Sequence, residues 1–265
     1  MNLLQAIFLG IIQGLTEFLP ISSSGHLVIF QKIFNFSTPP IAFDILAHLG
    51  TLFALLFFFR KDIKKIVQNL HQEIKSRKRG DYTNLLFYLI VGTIPIVIWG
   101  ILLREKVNIF FDSFLLVGIS FFFTAIILYI TSFVKDSKKE ITKISPLDAI
   151  IIGIFQAFAI LPGISRSGLT ISVALYQQIK KEDAFKFSFF LGIIAIFGAN
   201  LLQMPKILNF TTQEILNGLF GFLFSAIVGF VALKWLQKII IQGKLHYFGI
   251  YCIILGIICI LIYLL

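Results

Sequence analysis

The chain is poor in charge, in acidic residues and in cysteine. Only 14% of its 265 residues are Asp, Glu, Lys or Arg while 58% are hydrophobic, which leaves too little polar surface to cover a soluble globule. A polytopic membrane protein is the class that remains. The two cysteines, Cys252 and Cys259, lie one heptad apart in the last apolar run. That spacing and setting exclude a disulfide framework and a metal site, and packed or lipid-facing thiols are expected. Acidic residues number 13 against 23 basic ones, but the resulting charge of +10 does not point to nucleic acid. The basic residues stand in short loops between apolar runs, where orientation in a membrane accounts for them. The N-terminus has neither a basic leader nor an A-x-A-like cleavage site, so it does not read as a removed signal peptide.

What is present is long apolar runs, in a chain with 31 phenylalanines. Stretches of about 20 residues, enough to span a bilayer, fall at 41–59, 85–103, 113–134, 184–202, 214–236 and 245–265. Two further regions, about 3–30 and 147–178, are apolar at their edges but broken by Pro20 and by Pro162-Gly163. Proline ends or kinks a helix, and the serines that follow can cap a new one. Each region therefore reads as a re-entrant helical hairpin.

These two regions are copies of one element. At an offset of 143, Ala6, Ile7, Gly10, Gln13, Ile21, Ser22, Ser24 and Gly25 fall on Ala149, Ile150, Gly153, Gln156, Ile164, Ser165, Ser167 and Gly168. Ala42-Phe43 and Leu49-Gly50 likewise match Ala184-Phe185 and Leu191-Gly192 at 142. A duplication thus makes residues 1–134 one repeat and 147–265 the other, in a single membrane domain. Three spans per repeat is an odd number, so the second copy starts on the opposite side and the repeats have inverted topology. Of the 23 basic residues, 18 lie in the segments 60–82, 135–147, 178–186 and 234–244, while the opposite loops hold only Lys32, Arg104, Lys106 and Lys206. The positive-inside rule then places both termini outside and admits the first hairpin from the outer face. Trp99 and Trp235 sit near span ends, as interfacial anchors do.

The copies differ in charged chemistry: Glu17 and His26 belong to the first, Arg166 to the second. Ionised groups at membrane depth cost several kcal/mol, about 2.5–3.5 on insertion scales, unless they are paired or solvated. The three are therefore expected to face one cavity. Ser22, Ser23, Ser24, Ser165, Ser167 and Thr170 add hydroxyls, and restarted helices add N-termini, which favour anions such as phosphate. Arg166 offers a fork that matches phosphate oxygens. Ser23 and His26, three apart, share a helix face and permit a Ser–His pair, with Glu17 as orienting carboxylate. Such a set suits phosphoryl transfer in a phosphate or diphosphate ester hydrolase. The nucleophile is open among Ser23, His26 and water.

The strings Glu17-Phe-Leu-Pro-Ile-Ser-Ser-Ser-Gly-His26 and Pro162-Gly-Ile-Ser-Arg-Ser-Gly-Leu-Thr170 resemble the two signature motifs of the undecaprenyl-diphosphatase, or bacitracin-resistance, family. The likeness extends over essentially the whole chain. It implies hydrolysis of undecaprenyl diphosphate to undecaprenyl phosphate and phosphate, recycling the lipid carrier for peptidoglycan synthesis. It also implies an all-α fold of six spans and two re-entrant hairpins, a site opening to the outer face of the bacterial plasma membrane, and dependence on a divalent cation, Mg²⁺ or Ca²⁺, with no organic cofactor. Carried onto this chain, the family's essential residues are Glu17, His26 and Arg166, with Ser23, Ser165 and Thr170 as motif hydroxyls. The family's first motif opens with Glu or Gln four residues before the acid, here Gln13, which leaves Glu17 and Gln13 as the candidate cation donors.

Asp44 and His48, four apart in the second apolar segment, would face the same way on a helix, either lining the cavity or bonded within the helix. The run Lys75-Ser-Arg-Lys-Arg79 is accounted for by topology, and the GxxxG spacing of Gly10 and Gly14 suits close packing within the fold rather than dimerisation. The oligomeric state is left open, a homodimer included. A polyprenyl-phosphate transporter is the rival class, because broken helices in inverted repeats are transporter architecture. It has less need of Glu17, Ser23 and His26 in one copy alone.

Overall fold

A computed structural model describes residues 1–35, 41–103, 107–134, 137–205 and 210–265. Arg104, Lys106, Lys135 and Lys206, which enter the sidedness argument, lie outside the described residues. The described residues form helices and no strand, with one isolated bridge between Lys139 and Ile179. In order they are α1 (Leu3–Phe18), α2 (Ser23–Ile33), α3 (Ile41–Phe58), α4 (Arg60–Lys75), α5 (Asp81–Leu102), α6 (Val107–Asp112), α7 (Phe114–Ile130), α8 (Pro146–Phe158), α9 (Arg166–Tyr176), α10 (Lys181–Gln203), α11 (Thr212–Ile241) and α12 (Tyr247–Leu264).

Six of these are long and apolar enough to cross a membrane: α3, α5, α7 with the turn after it to Phe133, α10, α11 and α12. They coincide with the six expected spans, and the protein is a multi-pass membrane protein. Hydropathy did not disclose α4, which lies in the stretch expected to be a basic loop. This helix buries none of its residues. Its ends are held by its two acids: Lys186 Nζ donates to Asp62 at 2.6 Å, and Glu73 accepts from the Tyr82 and Thr83 amides and the Thr83 hydroxyl at the start of α5.

The order of elements is the same in both halves, α1–α2–α3–α5–α7 and α8–α9–α10–α11–α12, with α4 and α6 extra in the first. The halves interleave. Helix α1 packs on α11 while α8 packs on α5, and α7 crosses α12. Each crossing runs along glycine, which lets backbones approach where apolar burial gives helices no mutual attraction in lipid. A Cβ on Gly14 would stand 2.6 Å from the Ser225 carbonyl oxygen, and one on Gly153 would stand 2.4 Å from that of Gly92. Gly118 and Gly256 face each other the same way at 3.0 and 3.1 Å. The Gly10/Gly14 pair therefore serves packing inside the fold.

The deepest core lies between α1, α3 and α10. Phe18, Phe59, Phe185 and Phe189 are fully buried there and meet edge-on or tilted at 4.8–6.2 Å between ring centroids. Cys252 and Cys259 are packed thiols, and Cys252 Sγ lies 3.7 Å from the Pro20 carbonyl oxygen.

Candidate functional site

Both motif strings end one helix and begin another. Helix α1 stops at Phe18 because Leu19, preceding Pro20, adopts the extended backbone (φ −61°, ψ 146°) that proline imposes on its predecessor. Helix α8 stops at Phe158, and the chain turns through Gly163 at φ +91°. Only glycine fits there, since a Cβ would meet the Val117 carbonyl oxygen at 2.5 Å. Serine caps each new helix: Ser22 Oγ accepts from Gly25 N at 3.3 Å and Ser165 Oγ from Gly168 N at 3.1 Å.

The two caps differ. Ser165 is extended (φ −87°), whereas Ser22 holds φ +65°, a region that costs a non-glycine residue about 1–3 kcal/mol. Its surroundings hold it there. Ser22 Oγ also accepts from Gly163 N at 3.0 Å, tying the two breaks together, and the Ser22 carbonyl accepts from both the backbone N–H and the Nδ1–H of His26, at 3.3 and 2.7 Å. Thr124 on α7 supports the other break, donating to the Gly163 carbonyl at 2.9 Å and accepting from Ser165 N at 3.1 Å.

Glu17 is the centre of the assembly. Its Oε2 accepts from Ser23 Oγ at 2.6 Å and from Gln13 Nε2 at 3.2 Å, and its Oε1 accepts from Arg166 Nη2 at 3.0 Å. Ser23 and Arg166 lie 143 positions apart, the offset at which the two strings match, and each is the first residue of its helix. One carboxylate thus gathers the first residue of α2 and the first residue of α9. The ion pair is buried, with side-chain exposures of 12% for Arg166 and 8% for Glu17, so it must be paired to be tolerated. Arg166 fits because residue 192 is glycine: a Cβ there would be 1.8 Å from Nη1. Nη1 and Gln13 Oε1 are both buried and have no hydrogen-bond partner among the described residues.

The remaining expected residues are placed differently. Ser23 donates to Glu17 and not to His26, so the Ser–His pair gives way to a Ser–Glu pair. His26 is buried with both ring nitrogens engaged, Nδ1 on the Ser22 carbonyl and Nε2 on the Tyr251 hydroxyl at 2.8 Å. Ser22 and Ser165 are caps, Ser167 reaches the Leu19 carbonyl, and Thr170 bonds back to Arg166 and Ser167 and across to Ser188. All four are buried, while Ser23 and Ser24 are half-buried. His48 approaches the site, its Nε2 3.9 Å from Glu17 Oε2 and its Nδ1 on the Asp44 carbonyl at 2.7 Å.

Three contributors escaped sequence reading: Tyr251, Thr124 and the spacing role of Gly192. A hydroxyl at membrane depth needs a partner, which was the available signal for Tyr251 and Thr124. Nothing in the sequence tells which partner it takes.

The donor set does not make a resident cation cage. Among the described residues no three His, Cys, Asp or Glu converge on a metal position, and Glu17 is already neutralised by Arg166.

The model of the family described as bacitracin resistance protein BacA matches residues 6–258. Proteins named undecaprenyl-diphosphatase are similar over nearly their full length. One from Methanococcus maripaludis is 43% identical over 94% of this chain and 96% of its own. One from Methanobrevibacter smithii is 42% identical over 97% and 96%, and one from Caldicellulosiruptor bescii 40% over 100% and 99%. With the family model matching residues 6–258 and relatives similar over nearly the whole chain, the chain belongs to the BacA bacitracin-resistance family.

Proposed function

We propose that the protein is an integral-membrane phosphatase that hydrolyses undecaprenyl diphosphate to undecaprenyl phosphate and inorganic phosphate. The observation that carries this is the Glu17 carboxylate holding a serine hydroxyl on one oxygen and an arginine on the other. Ser23 Oγ passes its proton to Glu17 Oε2 and attacks the terminal phosphorus. The bridging P–O bond breaks, undecaprenyl phosphate leaves, and water then hydrolyses the phosphoserine with Glu17 acting in reverse. Arg166 Nη1, without a partner among the described residues, is the donor for a phosphoryl oxygen.

The interleaved halves and matched element order support an inverted-topology duplication in which α1–α2 and α8–α9 are re-entrant hairpins meeting between the spans. On the charge asymmetry of the loops, the site opens to the outer face of the plasma membrane and both termini lie outside. Recycling of the carrier lipid and bacitracin resistance follow from that placement. We take the divalent cation, Mg²⁺ or Ca²⁺, to arrive with the diphosphate, whose oxygens supply ligands beyond Glu17 and Gln13.

The test is phosphate release from undecaprenyl diphosphate by detergent-purified protein, beside Glu17→Ala, Ser23→Ala, His26→Ala and Arg166→Ala. Turnover by the wild type and its collapse in Glu17→Ala, Ser23→Ala and Arg166→Ala is expected. No release with either cation present, or full activity in those three variants, would overturn the reading. Labelling of a cysteine at position 77 from outside only would overturn the sidedness.

A further inference from the structure

The structure assigns Tyr251 as a positioning residue: its hydroxyl bonds Nε2 of His26, bracing the ring in the tautomer that the Ser22 carbonyl dictates, and, through the Ser22 backbone, holds Ser23 against Glu17. A backbone carbonyl can only accept, so the 2.7 Å contact between His26 Nδ1 and the Ser22 oxygen places a hydrogen on Nδ1. Nε2 of the neutral ring is then an acceptor, and the Tyr251 hydroxyl 2.8 Å away must donate to it. The rings lie parallel, 4° apart in plane and 5.7 Å between centroids, while Phe121 closes on His26 edge-on at 5.9 Å. The tautomer is set inside the motif by the Ser22 carbonyl, and the ring is braced from outside it by α12 and α7.

What the fixed tautomer holds is the strained residue next to the reacting serine. Ser22 stays at φ +65° because its carbonyl is taken by two His26 donors and its hydroxyl receives Gly163 N. That backbone places Ser23 as the first residue of α2, 2.6 Å from Glu17 Oε2. The chain of contacts runs Tyr251 to His26 to Ser22 to Ser23. Neither nitrogen of His26 is left for a substrate proton, so the histidine acts here as a strut rather than as a base. Tyr251 is about 40% exposed on α12, so only its hydroxyl end is committed to the interior.

The inference rests on the reading of Ser23 as the reacting hydroxyl, and two kinds of measurement separate them. Spectra of ¹⁵N-histidine-labelled protein in detergent, with His26 assigned by loss of its signals in His26→Gln, report the tautomer without any turnover. In the wild type His26 is expected as the Nδ1–H form with Nε2 hydrogen-bonded, and in Tyr251→Phe its Nε2 signal moves to that of an unbonded acceptor. In phosphate-release assays Tyr251→Phe is expected to lower kcat about tenfold with KM unchanged, the scale of one lost positioning bond. Because Gln can donate to Ser22 and accept from Tyr251, His26→Gln should keep part of the activity. The double variant should lose far less than the product of the two single losses. An unchanged His26 signal and wild-type kcat in Tyr251→Phe, or multiplicative losses in the double variant, would overturn the assignment. Wild-type turnover in Ser23→Ala would overturn the serine reading instead, whatever the spectra show.

Discussion

Gly192→Ala separates the active arrangement from the fold more sharply than any charge removal. Its Cβ would stand 1.8 Å from Arg166 Nη1, 2.8 Å from Cζ and 3.2 Å from Nη2. Contact between such atoms is comfortable at about 3.5 Å, so the guanidinium must move by roughly 1.5 Å or more. The Nη2 bond to Glu17, now 3.0 Å, then leaves hydrogen-bonding range. The clash falls on the mobile end of a long side chain, and Gly→Ala inside a helix favours the helix by about 1 kcal/mol. Thermal unfolding in detergent should therefore stay within about 5 °C of wild type. Activity should not: losing one preorganised donor to a developing charge costs about 10²–10³ in kcat, or about 3–4 kcal/mol. The assay is steady-state phosphate release from undecaprenyl diphosphate, paired with the unfolding scan. A variant that folds and keeps kcat within threefold would refute the claim that the Arg166–Glu17 geometry drives the reaction.

Arg166→Lys should also fall by about 10²-fold or more in kcat/KM, since an ammonium cannot hold Glu17 and a phosphoryl oxygen with separate fixed nitrogens; near-normal turnover would reduce Arg166 to a point charge. Thr124→Val removes both bonds to the second break and strands a buried carbonyl and N–H, so unfolding in detergent should reveal a loss of about 2–4 kcal/mol. At the α4–α5 junction, the Thr83 hydroxyl and then the Thr83, Tyr82 and Gly80 amides hold the Glu73 carboxyl below its ordinary value. A depressed carboxyl contributes stability above its unfolded value and loses it as pH falls through the folded one. Protection of the Tyr82 and Thr83 amides against exchange, taken relative to the unfolded rate at each pH, should thus be high near neutrality, fall below about pH 4.5, and lose that pH dependence in Glu73→Gln.

Much of the site was legible because its signals are local. The Pro20 and Pro162-Gly163 breaks, the serine caps after them and the charged residues beside them follow from backbone sterics and capping, which act over a few residues. Helix α4 was missed for the opposite reason: it is a polar helix with no buried residue, anchored by contacts to Lys186 and Thr83 that hydropathy does not register. The expected Ser23–His26 pair was drawn from spacing along one helix, which shows that two residues share a face but not what else reaches that face.

By itself the sequence determined that this is a multi-pass membrane protein with six apolar spans, that positions of its two halves match at an offset of 142–143, and that Glu17, Ser23, His26 and Arg166 stand in two broken segments. Composition, apolar run length and internal identity suffice for that, since each is a property of short stretches of chain. The tertiary structure alone decided which groups meet. Glu17 and Arg166 lie 149 positions apart, and His26 and Tyr251 are separated by 225. Their pairing depends on glycine-lined crossings that interleave one half with the other. Packing of that kind sums many weak contacts between distant helices, and no local pattern in the sequence records the result.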